Sequence, residues 1–292
     1  MFEGFERRRV STGGAGINLV VGGGGPALLL LHGFPQSHVI WHRMAPALAE
    51  RFTVVAPDLR GYGDSERVAS APDHAPYSKR AMARDQVEAM AALGFERFQV
   101  VGHDRGARVA HRMALDHPER VQRVALLDIV PTLRLFESVD QRLATAYWHW
   151  FFLIQPAPLP EHMIGRDPEF FLRRMLSSWG GDAGFVAPEA FAEYLRALRD
   201  PAALHAMCED YRAAAGVDLE HDRASRAAGE RVRCPLLALW GKRGAMEGLY
   251  DVAQAWREAA DDARGHALDC GHFLPEEAPR QTLAALREFL RA

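Results

Sequence analysis

The chain has 292 residues, 48% hydrophobic and 25% charged, which suits one α/β-sized core with room for an inserted subdomain and excludes extensive disorder. Lysine and arginine total 35 against 38 acids, a formal net charge of −3, so the overall balance marks neither nucleic acid nor an anionic membrane as a partner. No apolar run near the start approaches a bilayer span and the opening Met1 to Arg9 has no apolar signal core, so the sequence reads as cytoplasmic.

Phe5 to Ser11 and Ile17 to Val21 read as two strands joined by Gly13-Gly14-Ala15-Gly16. A second glycine run, Gly22 to Gly25, precedes a strand and no helix, so it reads as a turn and not a phosphate loop. Ala27 to Leu31 is a continuous apolar run, as expected of a strand buried on both faces of a parallel sheet. It ends in His32-Gly33-Phe34-Pro35, where open α/β sheets place their sites. His38 and His42 follow at i, i+4, but without the glutamate of H-E-x-x-H they read as structural histidines. Thr53 to Ala56 is a second buried-strand run, leading into Asp58-Leu59-Arg60-Gly61-Tyr62-Gly63, and Phe98 to Val101 is a third.

Between these, Ser78 to Leu93 has helical periodicity through Met82, Val87, Met90 and Leu93. Ala107 to His117 reads as a helix and Val121 to Leu127 as a strand ending at Asp128. From Pro131 to Arg233, about a hundred residues pass without a convincing core strand, an insertion length that suits a lid. Leu236 to Trp240 then resumes the sheet; a helix around Tyr250 to Ala260, a short strand near His266 to Leu268 and a helix from Glu276 to Leu290 close the chain. Cys208, Cys234 and Cys270 are odd in number with no close-spaced pair, and read as free thiols rather than a disulfide framework or zinc site. The pattern predicts an α/β fold with a mainly parallel, doubly wound sheet: residues 1–130 and 234–292 form the core, and 131–233 a helical lid.

Gly102-His103-Asp104-Arg105-Gly106 fits the hydrolase elbow, a strained strand-to-helix turn that thrusts up its middle residue, here Asp104. Aspartate beside glycine is also common turn chemistry, so the rest of the chain has to decide. As a nucleophile, a carboxylate attacks saturated carbon and leaves an ester that water can hydrolyse, whereas serine would leave a stable ether. That points to dehalogenation or epoxide opening. The order Asp104, Asp128, His272 follows the nucleophile, acid, histidine order of such folds, each residue just past a predicted strand. His272 would take a proton from water, and Asp128 would orient the imidazole. The acid can instead follow the next strand, where Trp240-Gly241-Lys242-Arg243-Gly244 offers no carboxylate before Glu247, which leaves Glu247 as the fallback.

Taken together, His32-Gly33-Phe34-Pro35, Asp58-Leu59-Arg60-Gly61-Tyr62-Gly63, Gly102-His103-Asp104-Arg105-Gly106-Ala107-Arg108, Leu127-Asp128-Ile129 and Gly271-His272-Phe273-Leu274-Pro275-Glu276-Glu277 resemble the haloacetate dehalogenases of the fluoroacetate dehalogenase family. The resemblance spans nearly the whole chain. Most of these motifs are shared with epoxide hydrolases and haloalkane dehalogenases, and the specific part is Arg105 with Arg108. One and four residues past Asp104, they share a face of the first helical turn, where cations oppose the helix dipole. Two guanidiniums there can keep Asp104 ionised and grip the carboxylate of a 2-halo acid; the competing reading pairs them with structural acids such as Asp128 or Asp58.

The resemblance further implies a halide pocket of His149, Trp150 and Tyr211, with Trp179 a lid aromatic near the substrate; without it, these would read as packing residues. The backbone N–H groups of Phe34 and Arg105 are the expected oxyanion donors. A small anionic 2-halo acid is the expected partner, with no metal or cofactor, and a homodimer fits the family. An epoxide hydrolase would use lid tyrosines as acids, with Tyr147, Tyr194 and Tyr211 as candidates. A haloalkane dehalogenase would want an apolar pocket, in which buried arginines are costly. A binding protein on a dead hydrolase fold is opposed by the presence of Asp104, Asp128 and His272 together.

Overall fold

A computed structural model of the chain describes residues 1–180 and 183–291. Eight strands, β1 (Glu6–Ser11), β2 (Gly16–Gly23), β3 (Ala27–Leu31), β4 (Thr53–Pro57), β5 (Phe98–His103), β6 (Val121–Leu127), β7 (Leu236–Gly241) and β8 (Ala263–Leu268), form one sheet in the order β1-β2-β4-β3-β5-β6-β7-β8. β1 pairs antiparallel with β2 and β2 antiparallel with β4; every other pairing is parallel. The opening hairpin thus caps one edge of a parallel sheet.

The apolar runs are continuous because the sheet is covered on both faces. Along β3, Leu29 and Leu31 enter one core cluster while Leu28 and Leu30 enter the other. β6 and β7 divide the same way, with Val124, Leu126, Leu236 and Ala238 on one side and Ala125, Leu127, Leu237 and Leu239 on the other. Successive side chains point to opposite faces, so only an unbroken apolar sequence serves such a strand.

The registers align the carboxyl ends of the central strands: Leu31 lies beside Gly102, His103 beside Leu127, and Leu127 beside Leu239. The residues that follow these strands therefore come out along one edge of the sheet. The helix that follows β5, Arg105–Asp116, is buried from Arg105 through Ala114. The expected helix over 78–93 is Lys79–Ala92, with Ser78 as its N-cap accepting from the Ala81 N–H.

Between β6 and β7 the described chain is helical, including Trp148–Leu153, Pro168–Gly180, Pro188–Arg199 and Pro201–Ala215. Two expectations change. The helix expected over 276–290 is divided into Leu274–Glu277 and Pro279–Phe289, because Pro279 cannot supply an N–H to the turn before it and opens a new helix instead. The second glycine run is no simple turn, since Gly22 and Gly23 lie in β2, where Gly22 leaves room for the Phe5 ring. No described helix is long and apolar enough to cross a membrane.

Candidate active site

Asp104 stands between β5 and its helix at φ 49° and ψ −115°, a left-handed backbone. Strain of this kind, on the order of 1–3 kcal/mol, persists where the surroundings enforce it. Here they do so through close packing. A Cβ on Gly102 would lie 2.5 Å from the Gly106 carbonyl oxygen and 2.6 Å from Ala107 Cα, and one on Gly33 would lie 2.5 Å from the Asp104 side chain. Glycine at 102 lets the helix backbone close on β5, and glycine at 33 lets the loop after β3 close on the Asp104 carboxylate. His32 sets the loop, its Nδ1 on the Gly33 carbonyl at 3.0 Å and its Nε2 accepting from the Leu59 N–H at 3.0 Å. The loop then presents the Phe34 N–H to Asp104 Oδ1 at 2.9 Å.

His272 Nδ1 lies 2.5 Å from Asp128 Oδ2, and its Nε2 lies 4.0 Å from Asp104 Oδ2. Asp128 Oδ1 accepts from the Gly241 N–H at 2.9 Å. The structure therefore brings Asp104, Asp128 and His272 together. Glu247 is not with them: it is exposed and takes the Trp240 indole N–H. The two oxygens of Asp104 also differ, one held by Phe34 and the other turned toward His272.

Burial opposes ionisation of Asp104, yet His272, Arg105 and Arg108 hold its carboxyl below the ordinary value. Burial likewise opposes a charged His272, but its hydrogen bond to Asp128 and the charges of Asp128 and Asp104 raise it above the ordinary value. His272 accepts a proton only when neutral, so hydrolysis should fail as pH drops through that raised value. Asp128→Asn removes the strongest raising influence and is expected to move the acidic limb of the rate–pH profile to lower pH, as well as lowering the rate; an unmoved limb would separate Asp128 from this role.

Arg105 and Arg108 are both buried, but their partners differ. Arg105 donates Nε and Nη2 to the Asp210 carboxylate at 3.0 and 2.7 Å, and Asp210 also receives the Tyr62 hydroxyl and Lys79. Arg108 donates Nη1 to the Val130 carbonyl and Thr132 hydroxyl, each at 3.0 Å, and has no carboxylate partner among the described residues. The structural acid expected at Asp128 or Asp58 is thus Asp210 instead. Asp58 is taken up by His38 and Asn18, and Asp128 by His272. Arg105 Nη1 and Arg108 Nε and Nη2 are buried without a hydrogen-bond partner among the described residues.

The aromatic side chains close over these guanidiniums. Arg105 Cζ lies 4.1 Å from the Tyr211 ring centroid, and Arg108 Cζ lies 4.5 Å from that of Trp150. His149 packs on Trp179 with centroids 4.3 Å apart, Trp179 meets His272 at 5.5 Å, and Tyr211 stands edge-on to Phe34 at 5.3 Å. His149 Nδ1, Trp150 Nε1 and Tyr211 Oη are also buried without a partner among the described residues. Burial drives His149 well below the ordinary histidine value and Tyr211 well above the ordinary tyrosine value, so one is neutral imidazole and the other intact phenol. Both can donate. Tyr194 is elsewhere, its hydroxyl on Glu276 at 3.1 Å.

A cavity of about 110 Å³ reaches Asp104 and His272, lined also by Asp128, Tyr147, Trp179 and Arg243, and of the five donor residues above its lining includes His149. Pockets for drug-sized ligands run to roughly 300–1,000 Å³. This one suits a molecule of a few heavy atoms.

Strained carboxylate at an elbow, acid after β6, histidine past β8 and helices across the sheet edge define an α/β hydrolase with aspartate in the nucleophile's place. The chain belongs to the α/β-hydrolase-fold family, matched over residues 26–279, and within it to the fluoroacetate dehalogenase family: it is 53% identical over 292 residues to fluoroacetate dehalogenase of Burkholderia sp, covering 99% of this chain and 95% of that protein. It is also 35% identical over 277 residues to the soluble epoxide hydrolase of Corynebacterium sp. strain C12, covering 94% and 93%. Among solved structures, the α/β hydrolase ALR0039 of Nostoc sp PCC 7120 superposes with a TM-score of 0.97 at 58% identity, covering 99% of each chain.

Proposed function

We propose that the protein is a haloacetate dehalogenase that hydrolyses 2-haloacetates, fluoroacetate included, to glycolate and halide. The observation that carries this reading is the set of buried donors around Asp104 without a partner among the described residues: guanidinium N–H groups from Arg105 and Arg108, and imidazole, indole and phenol groups from His149, Trp150 and Tyr211. Buried polar groups ordinarily find partners within the protein or in bound molecules. A haloacetate supplies both kinds, a carboxylate for the arginines and a developing halide for the other three. The relative named fluoroacetate dehalogenase supports the same reading.

Asp104 Oδ2 attacks the halogen-bearing carbon, the carbon–halogen bond breaks, and its electron pair leaves with the halide. An ester joins Asp104 to the acetate fragment. Fluoride leaves as a basic, compact ion, and donors aimed at it lower that barrier. His272 then takes a proton from water, and the hydroxide adds to the carboxyl carbon of Asp104. Charge develops on Oδ1, facing the Phe34 N–H, with the Arg105 N–H as the second donor of this proposal. On collapse the glycolate oxygen takes the proton from His272, and Asp104 sheds the remaining proton to solvent. The 4.0 Å between His272 Nε2 and Asp104 Oδ2 suits an imidazole that works through water rather than on the carboxylate itself. In this reading residues 131–233 act as the lid, the enzyme is cytoplasmic as its sequence reads, and the homodimer that fits the family extends to this chain.

Halide release from fluoroacetate, chloroacetate and an uncharged 1-haloalkane, with diol formation from styrene oxide alongside, tests the proposal. Release from haloacetates alone supports it; silence on haloacetates with diol from the epoxide overturns it. The epoxide reading keeps one observation, the presence of Tyr147 and Tyr211 at the site, and the small cavity opposes it. Arg108→Lys keeps the charge but loses the fork geometry. A charge-assisted hydrogen bond is worth about 1.5–3 kcal/mol, so KM for haloacetates should rise roughly ten- to a hundredfold. An unchanged KM would remove Arg108 from the carboxylate site.

A further inference from the structure

The segment after the base, Leu274-Pro275-Glu276-Glu277, belongs to the motif that marks the family resemblance, yet the chemistry above gives its two acids no task. Their surroundings differ. Glu276 is fully buried, pushed up to about 8 by burial, and accepts from Gln36 Nε2 at 2.5 Å and the Tyr194 hydroxyl at 3.1 Å. Glu277 is half-buried, and its two oxygens straddle the base. Oε2 accepts the Gly271 N–H at 2.6 Å and Oε1 the Phe273 N–H at 2.7 Å, the residues on either side of His272.

The backbone of His272 itself is held by other groups. Its N–H donates to the Trp179 carbonyl at 3.0 Å, and its carbonyl accepts from His103 Nε2 at 2.8 Å. Burial takes His103 down to about 3, so it is a neutral imidazole whose N–H sits on that oxygen. A turn this short has no ladder of its own to satisfy three consecutive N–H groups. Glu277 takes the outer two, and one rigid carboxylate spanning both fixes the direction in which the imidazole between them leaves the chain. Gly271 fits this arrangement, since a Cβ there would lie 2.9 Å from Glu277 Oε2 and 2.5 Å from the Trp179 carbonyl oxygen.

Resting on the dehalogenase reading, we propose that Glu277 is a positioning residue for His272: its carboxylate clamps the backbone on both sides of the base and sets the imidazole for attack of water on the Asp104 ester. The carboxylate touches neither substrate nor the reacting atoms. Displacement of halide by Asp104 makes no use of His272, so loosening the clamp slows the second half-reaction and spares the first. A misplacement on the order of 1 Å can cost about 10²-fold.

Glu277→Gln keeps the shape but offers a single acceptor oxygen, and Glu276→Gln makes the same change one residue earlier, away from the base. Wild-type turnover of chloroacetate is measured first; its failure would overturn the dehalogenase reading and with it the assignment of Glu277. Given that turnover, Glu277→Gln is expected to release the first equivalent of chloride at close to the wild-type rate. Its steady-state rate should fall about ten- to a hundredfold, and intact mass should show a carboxymethyl ester absent from wild type at steady state. Glu276→Gln is expected to accumulate no ester. An unchanged steady-state rate for Glu277→Gln, an equal loss in the first chloride and in steady state, or equal ester in both variants would each overturn the assignment.

Discussion

Asp104→Asn is expected to release no halide above background from chloroacetate or fluoroacetate, a loss of at least about 10³-fold. The amide retains an oxygen for the Phe34 N–H, so the substitution leaves the elbow's framework in place and removes the nucleophile. What vanishes is the anion that His272, Arg105 and Arg108 jointly keep ionised in a buried site. Far-UV circular dichroism with a halide electrode checks it, and undiminished release from a folded variant would remove Asp104 from the reaction. Oxygen labelling makes the same point on the unaltered enzyme. In a single turnover in H₂¹⁸O the label should enter the Asp104 carboxylate, because the oxygen that departs in glycolate is Asp104's own.

His272→Asn should part the two half-reactions. Displacement needs only the carboxylate, so one halide per enzyme is expected, after which the ester persists and turnover falls by about 10²–10⁴-fold, the ordinary contribution of a general base. Mass spectrometry of the tryptic peptide carrying Asp104, after incubation with chloroacetate, checks this. A variant that neither releases the first halide nor gains mass would contradict a two-step path through Asp104.

The sheet was legible because burial on both faces leaves a coarse mark. Apolar runs such as Ala27–Leu31 and Leu236–Trp240 have no polar interruption, and the structure shows each dividing its side chains between two cores. Asp104, Asp128 and His272 were legible because backbone requirements surround them, glycines at Gly33, Gly102 and Gly106 and strand ends in fixed order. The partners were not. Asp210 lies 105 positions from Arg105, on a helix whose periodicity says only that one face is buried, so no local pattern distinguishes it from any other helical acid. Its one sequence signal was adjacency to Tyr211, the aromatic residue already singled out. Glu277 was legible as part of a motif and silent as to role, since a clamp on backbone N–H groups depends on how a turn folds back and not on residue spacing.

The placement of the acid after β6 also alters what the turn after β7 is free to do. Gly241 still serves Asp128 through its N–H, but Lys242, Arg243 and Gly244 beyond it offer no carboxylate, and Arg243 stands on the cavity wall with its side chain 61% exposed. Its ion pair with Asp269 is itself open to solvent, and such pairs are weak and screened. An anion diffusing toward the cavity therefore meets a guanidinium before it meets the nucleophile's own negative charge. On the proposed haloacetate chemistry, encounter is then tuned by the ionic strength around the enzyme, and the mouth of the cavity offsets the repulsion that the Asp104 carboxylate would impose on a carboxylate substrate.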